Sequence, residues 1–399
     1  MKTLELVFQR VCKLSGLWLL VLAPFYAAPA RAQSYSITDL GLLPGGTSSF
    51  ATGINDRGEA TGTGDSSQGF YRAWRYSRGA LTDLGALGGS AAWTFTYGIN
   101  NRGDVTGYSF TAAGEARAFL YHDGTMQDIG TLGGTESGGY AINNAGEITG
   151  ASNTPGDTES LAFIYSDGSM VGLGHLGGSS SVGQGINNVG EVTGWAYTTA
   201  NLAQHAFLYR SGAMYDLGTL GGASYAGLNS QGLAINDSGQ VVGYSETPGG
   251  GGSAHAFLYA NGSMQDLGTL GGSSSSALDI NNVGDIVGNS STANDTLSHA
   301  FLYSRGSIKD LNSLIDPASP LATQVTLTFA VGINRRGQIL ANGFDVQSRV
   351  YGAYLLTPRR CHERSERSGS HNSRKCGRDD SNRHEPHRDD CDRPCGDDR

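Results

Sequence analysis

Residues 255–288 read HAFLYANGSMQDLGTLGGSSSSALDINNVGDIVG, and versions of this stretch recur from about residue 36 to residue 356. Three short anchors mark the copies. A triplet resembling Asp-Leu-Gly begins at Asp39, Asp83, Asp128, Gly172, Asp216, Asp266 and Asp310. The pair Ile-Asn begins at Ile54, Ile99, Ile142, Ile186, Ile235, Ile280 and Ile333. An Ala that precedes an apolar or aromatic run stands at Ala73, Ala118, Ala162, Ala206, Ala256, Ala300 and Ala353. The recurrence of all three anchors, at intervals close to 44 residues, indicates a chain of repeat units.

Each unit is predicted to contain four short strands. The first strand (Ala-Phe-Leu-Tyr) leads through Asn261-Gly262 into the second (Ser-Met-Gln-Asp-Leu-Gly). Asn-Gly between apolar runs is the strongest short-range hairpin signal, because both turn residues need positive φ. The third strand ends at Ile-Asn, and a turn of the type Asn-Asn-x-Gly leads into the fourth. A type I turn followed by a left-handed Gly suits that spacing.

Four antiparallel strands in about 44 residues are typical of one β-propeller blade. The start of the repeat region supplies a second strand (residues 36–41), and its end supplies a first strand (residues 353–356). Together they complete one composite blade and close the ring. We therefore predict an all-β fold over residues 33–357, a seven-bladed β-propeller of four-stranded antiparallel blades, closed by pairing of the N- and C-terminal strands. An open β-solenoid with capped ends is the alternative.

The first 32 residues are predicted to be a signal peptide. Lys2, Arg10 and Lys13 precede an apolar run (residues 17–25), and Ala-Arg-Ala (residues 30–32) is a small-x-small cleavage signal. The apolar run is too short to span a membrane. An uncleaved anchor is the alternative. We expect the protein to be secreted, to the extracellular space, the periplasm or the cell surface.

Residues 358–399 are predicted to be a disordered tail. They contain no Leu, Ile, Val, Met, Phe, Trp or Tyr, and half of them are charged, so they cannot bury enough apolar surface to order. Four Cys lie here, but their spacing with the nearby His residues matches no standard zinc site, and we assign no metal. A frame-shifted end of the gene is an alternative origin for this tail.

The His-Ala-Phe triplets at His205, His255 and His299, each followed by Leu-Tyr, resemble the HAF repeat of bacterial extracellular proteins. The flanking triplets Asp-Leu-Gly and Ile-Asn-Asn agree with that family across residues 36–356. The first and last units depart most, since residues 70–74 and 352–354 lack the His. The resemblance implies a secreted or surface protein, and it brings no common activity with it.

Composition and motifs narrow the function. A net charge of −9 argues against nucleic acids and anionic membranes as partners. The repeat region holds no phosphate-binding loop before a helix, no Gly-x-Ser-x-Gly elbow and no His-Glu-x-x-His. We therefore assign no catalytic residue and expect no cofactor, and enzymatic activity is the less favoured hypothesis.

Strand alternation places the Leu-Gly-Gly loops and the connections between fourth and first strands on one face, here called the variable face. Its loops (residues 91–97, 109–115, 195–204, 225–231 and 246–253) differ most between units, and variable loops on a rigid scaffold often bind ligands. Their large aromatic residues are the candidate ligand-binding residues: Trp93, Phe95, Trp195 and Tyr197. The alternative is that these side chains anchor the loops by packing.

The histidines His205, His255 and His299 are further candidates for ligand binding. If the first strands line the central channel, the three could converge on a ligand. The alternative is a structural bond from each histidine to the backbone of the neighbouring blade. Arg102-Gly103-Asp104 spells an adhesion tripeptide, but it stands where other units have Ala-Gly-Glu or Val-Gly-Glu.

The sequence thus predicts a secreted, monomeric binding or scaffold module that engages carbohydrate or protein through the variable face. The alternative is an extracellular propeller hydrolase or lyase acting on polysaccharide, with the three histidines or acidic residues at the channel mouth in the active site.

Overall fold

The computed structural model describes residues 34–67, 69–221, 227–248 and 252–359. The predicted signal peptide and all but the first two residues of the predicted tail lie outside these ranges. Within them the chain forms the strands β1 (Tyr35–Asp39), β2 (Ser49–Ile54), β3 (Ala60–Asp65), β4 (Tyr71–Ser77), β5 (Ala80–Asp83), β6 (Thr94–Ile99), β7 (Val105–Phe110), β8 (Ala116–His122), β9 (Thr125–Asp128), β10 (Ser137–Ile142), β11 (Ile148–Asn153), β12 (Ser160–Ser166), β13 (Ser169–Gly172), β14 (Gly177–Ile186), β15 (Val192–Thr198), β16 (Gln204–Arg210), β17 (Ala213–Asp216), β18 (Ser230–Ile235), β19 (Val241–Glu246), β20 (Ala254–Ala260), β21 (Ser263–Asp266), β22 (Gly271–Ile280), β23 (Ile286–Thr292), β24 (Ser298–Ser304), β25 (Ser307–Asp310), β26 (Val325–Ile333), β27 (Ile339–Asp345) and β28 (Val350–Pro358). Short 3₁₀ helices span Pro155–Asp157, Thr199–Asn201, Ala293–Asp295 and Leu311–Leu314.

The predicted all-β propeller is confirmed, but the prediction of seven separate four-stranded blades is wrong. Among the described residues five sheets have four strands each, in the orders β2-β3-β4-β5, β6-β7-β8-β9, β18-β19-β20-β21, β22-β23-β24-β25 and β1-β28-β27-β26. The strands β10 to β17 instead belong to one eight-stranded sheet. The join is a parallel pairing of β12 with β14 at Ser160 and Ser180. At this point β14, which begins at Gly177, runs alongside the start of β12.

The composite closing sheet forms as predicted. The strand β1 pairs antiparallel with β28, and Tyr35 lies opposite Pro358. The predicted hairpin turns also form: Asn261 and Gly262 have φ of 52° and 80°, which is the pair of positive angles that a two-residue hairpin needs. We number the sequence repeats as units 1 to 7, beginning at β2.

The strand that ends in Ile-Asn is the innermost strand of each unit. These strands (β2, β6, β10, β14, β18, β22 and β26) end at the mouth of the central channel, which is lined by their Ile and Asn residues. Small residues precede the Ile in most units, since the strands crowd together around the axis. A Cβ added at Gly98 would lie only 3.1 Å from the Cα of Ala141, and one at Gly185 only 3.1 Å from the Cα of Ala234.

The core lies between adjacent units. The aromatic residue after each anchoring Ala is buried, as in Phe163, which packs with Ala118 of the preceding unit and with Ile142 and Ile148 of its own. Full burial of one such side chain contributes about 1.5–3 kcal/mol. The buried aromatic series is Trp74, Phe119, Phe163, Phe207, Phe257, Phe301 and Tyr354.

A closed ring of asparagines joins the inner strands at the channel mouth. The Nδ2 of each ring asparagine donates to the backbone oxygen of the ring asparagine in the next unit, over 2.9 to 3.3 Å. Asn334 donates to Asn55 and so completes the circuit. The Oδ1 atoms accept backbone amides of their own turns, so the predicted turn-forming role is confirmed. The ring consists of Asn55, Asn100, Asn143, Asn187, Asn236, Asn281 and Asn334.

Candidate functional site

Unit 2 carries a group of aromatic side chains that begins on the variable face and reaches the central channel. Phe95 stacks on Tyr108, with ring centroids 5.0 Å apart. The rings of Trp93 and Phe110 meet edge to face, with centroids 6.3 Å apart. Ring contacts extend to the units on both sides. The ring centroid of Tyr71 in unit 1 lies 5.8 Å from that of Phe95, and the ring centroid of Tyr140 in unit 3 lies 5.1 Å from that of Tyr97. We call this set the aromatic cluster: Tyr71, Trp93, Phe95, Tyr97, Tyr108, Phe110 and Tyr140.

Strand register explains the cluster. Phe95 in β6 lies directly opposite Tyr108 in β7, so both project from the same face of the sheet. Thr94 and Thr96 point to the other face and are buried. A β-bulge between Thr96 and Gly98 then shifts the register at Tyr97. The position of Phe95 is also aromatic in units 1 and 7, as Phe50 and Phe329, whereas units 3 to 6 have Gly138, Val182, Gln231 and Ser276 there.

Two cavities adjoin the cluster and share Phe110 as a wall. One, of about 450 Å³, is mostly apolar and is lined by Ala91, Ala92 and Trp93 together with Thr111, Ala112 and Gly114. The other, of about 400 Å³, lies between units 2 and 3 and is lined by Tyr97, Tyr108 and Tyr140 together with Glu136 and Asn153. Trp93 is 45% exposed and Tyr97 37%, so large aromatic surface stays open to solvent beside both cavities.

Three tyrosines of the cluster, Tyr97, Tyr108 and Tyr140, are neutral hydrogen-bonding groups. Burial raises the pKa of Tyr97 far above its ordinary value, and the pKa values of Tyr108 and Tyr140 are raised for the same reason. Their hydroxyls therefore keep their protons at physiological pH, and can donate to a ligand as well as accept from it.

The other predicted aromatics lie apart from this cluster. Trp195 and Tyr197 are in β15 of unit 4, where their rings meet edge to face at 5.7 Å. Both are half-buried. Two further predicted loops are only partly described, because residues 225–226 and 249–251 lie outside the described ranges.

The three candidate histidines do not line the channel. Their strands β16, β20 and β24 stand third from the axis, so the hypothesis that the first strands line the channel is wrong. The Nδ1 atoms of His205, His255 and His299 lie 2.7 to 2.9 Å from carboxylates on the outermost strands of their own sheets. The expected bond to a neighbouring blade is therefore wrong as well. The carboxylates belong to Asp216, Asp266 and Asp310.

Unit 3 has neither the histidine nor the aspartate of this pair. Leu161 takes the histidine position there, and Gly172 takes the aspartate position. A Cβ on Gly172 would lie 3.7 Å from the Leu161 side chain. The unit thus lacks both partners together. In unit 1 Arg72 replaces the histidine and bonds to Asp83 at 3.2 Å, so a contact between a basic side chain and a carboxylate links the outermost strand to its neighbour in four units.

The central channel contains one carboxylate in place of a small residue. Asp279 occupies the position before the inner-strand Ile, where the other units have Gly or Ala. Its two oxygens accept the amides of Ile280, at 2.9 Å, and of Ile333 in the next unit, at 2.8 Å. Burial raises the pKa of Asp279 to about 7, against the lowering effect of these two bonds. No set of three His, Cys, Asp or Glu side chains suited to a metal ion occurs in the described part of the chain.

The Arg-Gly-Asp tripeptide is not displayed for recognition. Asp104 is 4% exposed, and its carboxylate accepts hydrogen bonds from Asn100 and Arg102 and pairs with His122 at 2.6 Å. The tripeptide is therefore part of a turn.

The aromatic cluster includes residues that the sequence prediction missed: Tyr71, Tyr97, Tyr108, Phe110 and Tyr140. The alternation of Trp93, Phe95 and Tyr97 along one strand was a usable signal, since alternate residues share a face. The contributions of Tyr71 and Tyr140 come from other units, and only the packing of neighbouring sheets reveals them.

Comparison with known proteins gives remote matches. The model of a family described as a protein of unknown function (DUF3466) matches residues 229–357. No curated protein sequence matches the chain.

Solved structures of low similarity share parts of the architecture. TolB from Acinetobacter baumannii is 14% identical with a TM-score of 0.32, over 72% of this chain and 60% of that one. A puromycin-hydrolyzing peptidase from Mycobacterium tuberculosis is 11% identical with a TM-score of 0.47, over 78% and 52%. YCF48 bound to D1 peptide is 11% identical with a TM-score of 0.46, over 81% and 96%. The chain thus spans 60% and 52% of the length of the first two, and none of the three supplies an activity or a partner.

Proposed function

We propose that this protein is a non-catalytic β-propeller binding module that holds an extended polypeptide segment against the aromatic cluster. The observation that carries the proposal is the exposure of Trp93 and Tyr97 beside two cavities. Exposed aromatic residues that border pockets are the usual anchors of protein interfaces.

The two cavities suit alternate side chains of an extended peptide. Side chains at positions i and i+2 of a strand point the same way, about 7 Å apart. One would enter the apolar cavity beside Trp93, and the other would enter the cavity at Tyr97, where Glu136 and Asn153 supply polar partners. Phe110, which both cavities share, would lie between the two side chains.

The energy available is consistent with specific binding. Full burial of a large apolar side chain contributes about 1.5–3 kcal/mol, so covering the exposed part of Trp93 contributes roughly 1 kcal/mol. Tyr71 and Tyr97 expose similar fractions. Pocket-filling side chains of the ligand would add to this sum.

A glycan ligand is the second candidate. The 400 Å³ cavity combines three tyrosine hydroxyls with Glu136 and Asn153. Aromatic faces with neighbouring polar groups can also hold a sugar ring, so glycans belong in the same test.

Display selection of random peptides, together with a glycan array, tests the proposal on the purified protein. We expect enriched peptides with apolar or aromatic residues two positions apart, and we expect Trp93→Ala and Phe110→Ala each to weaken their binding by about fivefold or more. Trp195→Ala is the matched control, because it removes the same side chain from unit 4. Thermal unfolding of each variant checks that the fold is intact.

Three outcomes decide between the candidates. Peptide capture that depends on Trp93 supports the proposal, whereas glycan capture with the same dependence supports the second candidate. Capture that is equally reduced by Trp195→Ala, or unaffected by Trp93→Ala, refutes the assignment of the site.

We further propose that the module acts outside the cytoplasm. The support is the sequence of residues 1–32, with its basic start, apolar run and small-x-small end. Among the described residues no helix has the length and apolar character needed to cross a bilayer. Fractionation of cells expressing the full chain tests this, and retention of the unprocessed protein in the cytoplasm would refute it.

A further inference from the structure

Arg75 occupies a position that is apolar in every other unit. It is the second residue after the anchoring Ala, and its side chain is 31% exposed. The residues at this position in units 2 to 7 are Leu120, Ile164, Leu208, Leu258, Leu302 and Leu355. They are buried or half-buried. An arginine at this position removes apolar packing from the fold, so a role other than packing is indicated.

The side chain of Arg75 lines a cavity of about 640 Å³ on the face opposite the variable face. Arg57, Arg78 and Arg102 line the same cavity, and Glu59 is its one acidic residue. Four of the twelve Lys and Arg residues in the span 33–357 therefore meet at one place in an acidic protein. We call it the arginine cavity.

Two guanidinium groups approach each other closely at the cavity wall. A Cβ added at Gly103 would lie 3.1 Å from Nη2 of Arg57 and 3.2 Å from Nη1 of Arg75. Glu59 partly compensates the charge, since it accepts from Arg57 at 2.7 Å and lies 3.6 Å from Arg75. Hydrogen bonds from its neighbours lower the pKa of Glu59 despite the opposing effect of burial, so it is ionised.

The compensation is incomplete. Arg102 pairs with Asp104 outside the cavity lining. No ion pair or side-chain hydrogen bond within the described ranges engages the guanidinium of Arg78. The cavity therefore keeps an excess of positive charge and unused N–H donors.

We propose that the arginine cavity binds an oxyanion group, a phosphate or a carboxylate, carried on a larger ligand. Planar guanidinium forks match the oxygens of both groups in bidentate geometry. The volume lies within the range of small-molecule sites, about 300–1,000 Å³, and exceeds the needs of a single oxyanion. The ligand thus has a body that occupies the rest of the cavity. This site is separate from the aromatic cluster and does not depend on it.

Calorimetric titration of the intact protein with pyrophosphate and with citrate, at matched ionic strength in sodium chloride, tests the proposal. We expect at least one of the two anions to bind with a Kd below about 1 mM. Arg75→Leu installs the residue found in most of the other units and should fold normally, and Arg78→Asn installs the residue of unit 5 at the same turn. Each should weaken binding about tenfold or more, since a hydrogen bond to a charged group is lost.

Arg305→Asn is the matched control. Arg305 occupies the same turn position in unit 6, one residue before the shared Gly, with the same φ of 53° as Arg78. Its loss should leave anion binding unchanged, as should Trp93→Ala. Preference for pyrophosphate identifies a phosphorylated ligand, and preference for citrate identifies a carboxylated one. Failure of both anions to bind, or equal weakening by Arg305→Asn, overturns the proposal.

Discussion

Replacing Asn187 by Asp tests the ring of asparagines, because the two side chains have the same shape. Asn187 is 2% exposed. Its Nδ2 donates to the carboxylate of Glu191 at 2.8 Å and to the backbone oxygen of Asn236 at 3.1 Å. In Asn187→Asp an oxygen replaces this nitrogen, so both bonds are lost. The Oδ1 atom can still accept the amides of Val189 and Glu191.

The size of the effect follows from those two bonds. A hydrogen bond to a charged acceptor contributes about 1.5–3 kcal/mol and one to a neutral acceptor about 1 kcal/mol. We therefore expect the free energy of unfolding to fall by about 2.5–4 kcal/mol at neutral pH, against a total of about 5–15 kcal/mol for a folded protein. Repulsion between the new carboxylate and Glu191 increases the loss.

The loss should depend on pH. The repulsion raises the folded-state pKa of the carboxyl pair above its value in the unfolded chain. The folded variant then binds a proton more readily than the unfolded chain, so its destabilisation shrinks as the pH falls from about 7.5 to 5. The position of the new carboxylate beside Glu191 therefore predicts the direction in which the destabilisation changes with pH.

Urea unfolding followed by tryptophan fluorescence, at pH 7.5 and pH 5, measures both effects. Asn261→Asp is the control, because Asn261 is an exposed turn residue and Asp123 holds the same turn position in unit 2. A loss below about 1 kcal/mol at pH 7.5, less than one hydrogen bond, would show that the ring bonds contribute little. An equal loss at both pH values would contradict the electrostatic argument.

Other residues give further predictions. Burial raises the pKa of Asp279 to about 7, so the stability of the wild-type protein should fall as the pH rises from about 4 to 7. The melting temperature of Asp279→Ala should not show this dependence on pH, and an unchanged dependence would contradict the prediction. Leu161→His with Gly172→Asp should rebuild the missing histidine–aspartate pair, and a double-mutant cycle should give a favourable coupling of about 0.5–1 kcal/mol, whereas zero coupling would count against a stabilising pair. The hydrogen bond to Asp104 raises the pKa of His122, so this contact stabilises fully below about pH 6.5 and is lost above the raised pKa. His122→Asn should therefore lower the melting temperature at pH 6 but not at pH 9, and equal lowering at both would refute the assignment.

Local turn chemistry was the part of the fold most readable from the sequence. Asn261-Gly262 predicted a hairpin with two positive φ angles, and the structure has them. The strand at residues 36–41 predicted the closing sheet, because it had no first strand of its own to pair with. These predictions depend on short segments whose preferences act locally.

The radial order of the strands and the separation of the sheets could not be read in the same way. Both depend on how neighbouring units pack. The small residues before the inner-strand Ile were an available signal for the axis, since at Gly98 a side chain would press on Ala141. The contact of Ser160 with Ser180 had no signal in the sequence, because unit 6 has a similar long inner strand and remains in a four-stranded sheet.

Only the part of the candidate site that lies within one unit was predicted from the sequence, because the rest depends on how neighbouring units pack. Trp93 and Phe95 were identified from their own loop, and they lie in the cluster. Tyr71 and Tyr140 contribute from units 1 and 3. In the sequence Arg75 stands where the other units have Leu or Ile, but its grouping with three other arginines follows from the close approach of two adjacent sheets.

The order of the units along the chain is not required by the contacts that hold them. Tyr35 and Pro358 lie opposite each other in one sheet, so the two ends of the propeller are neighbours. A short linker across this pair, with a new start at an exposed hairpin such as Asn261-Gly262, would preserve every strand pairing in a reordered gene. Fusions at either end of the propeller would also emerge side by side, which makes this edge suitable for bringing two attached proteins together.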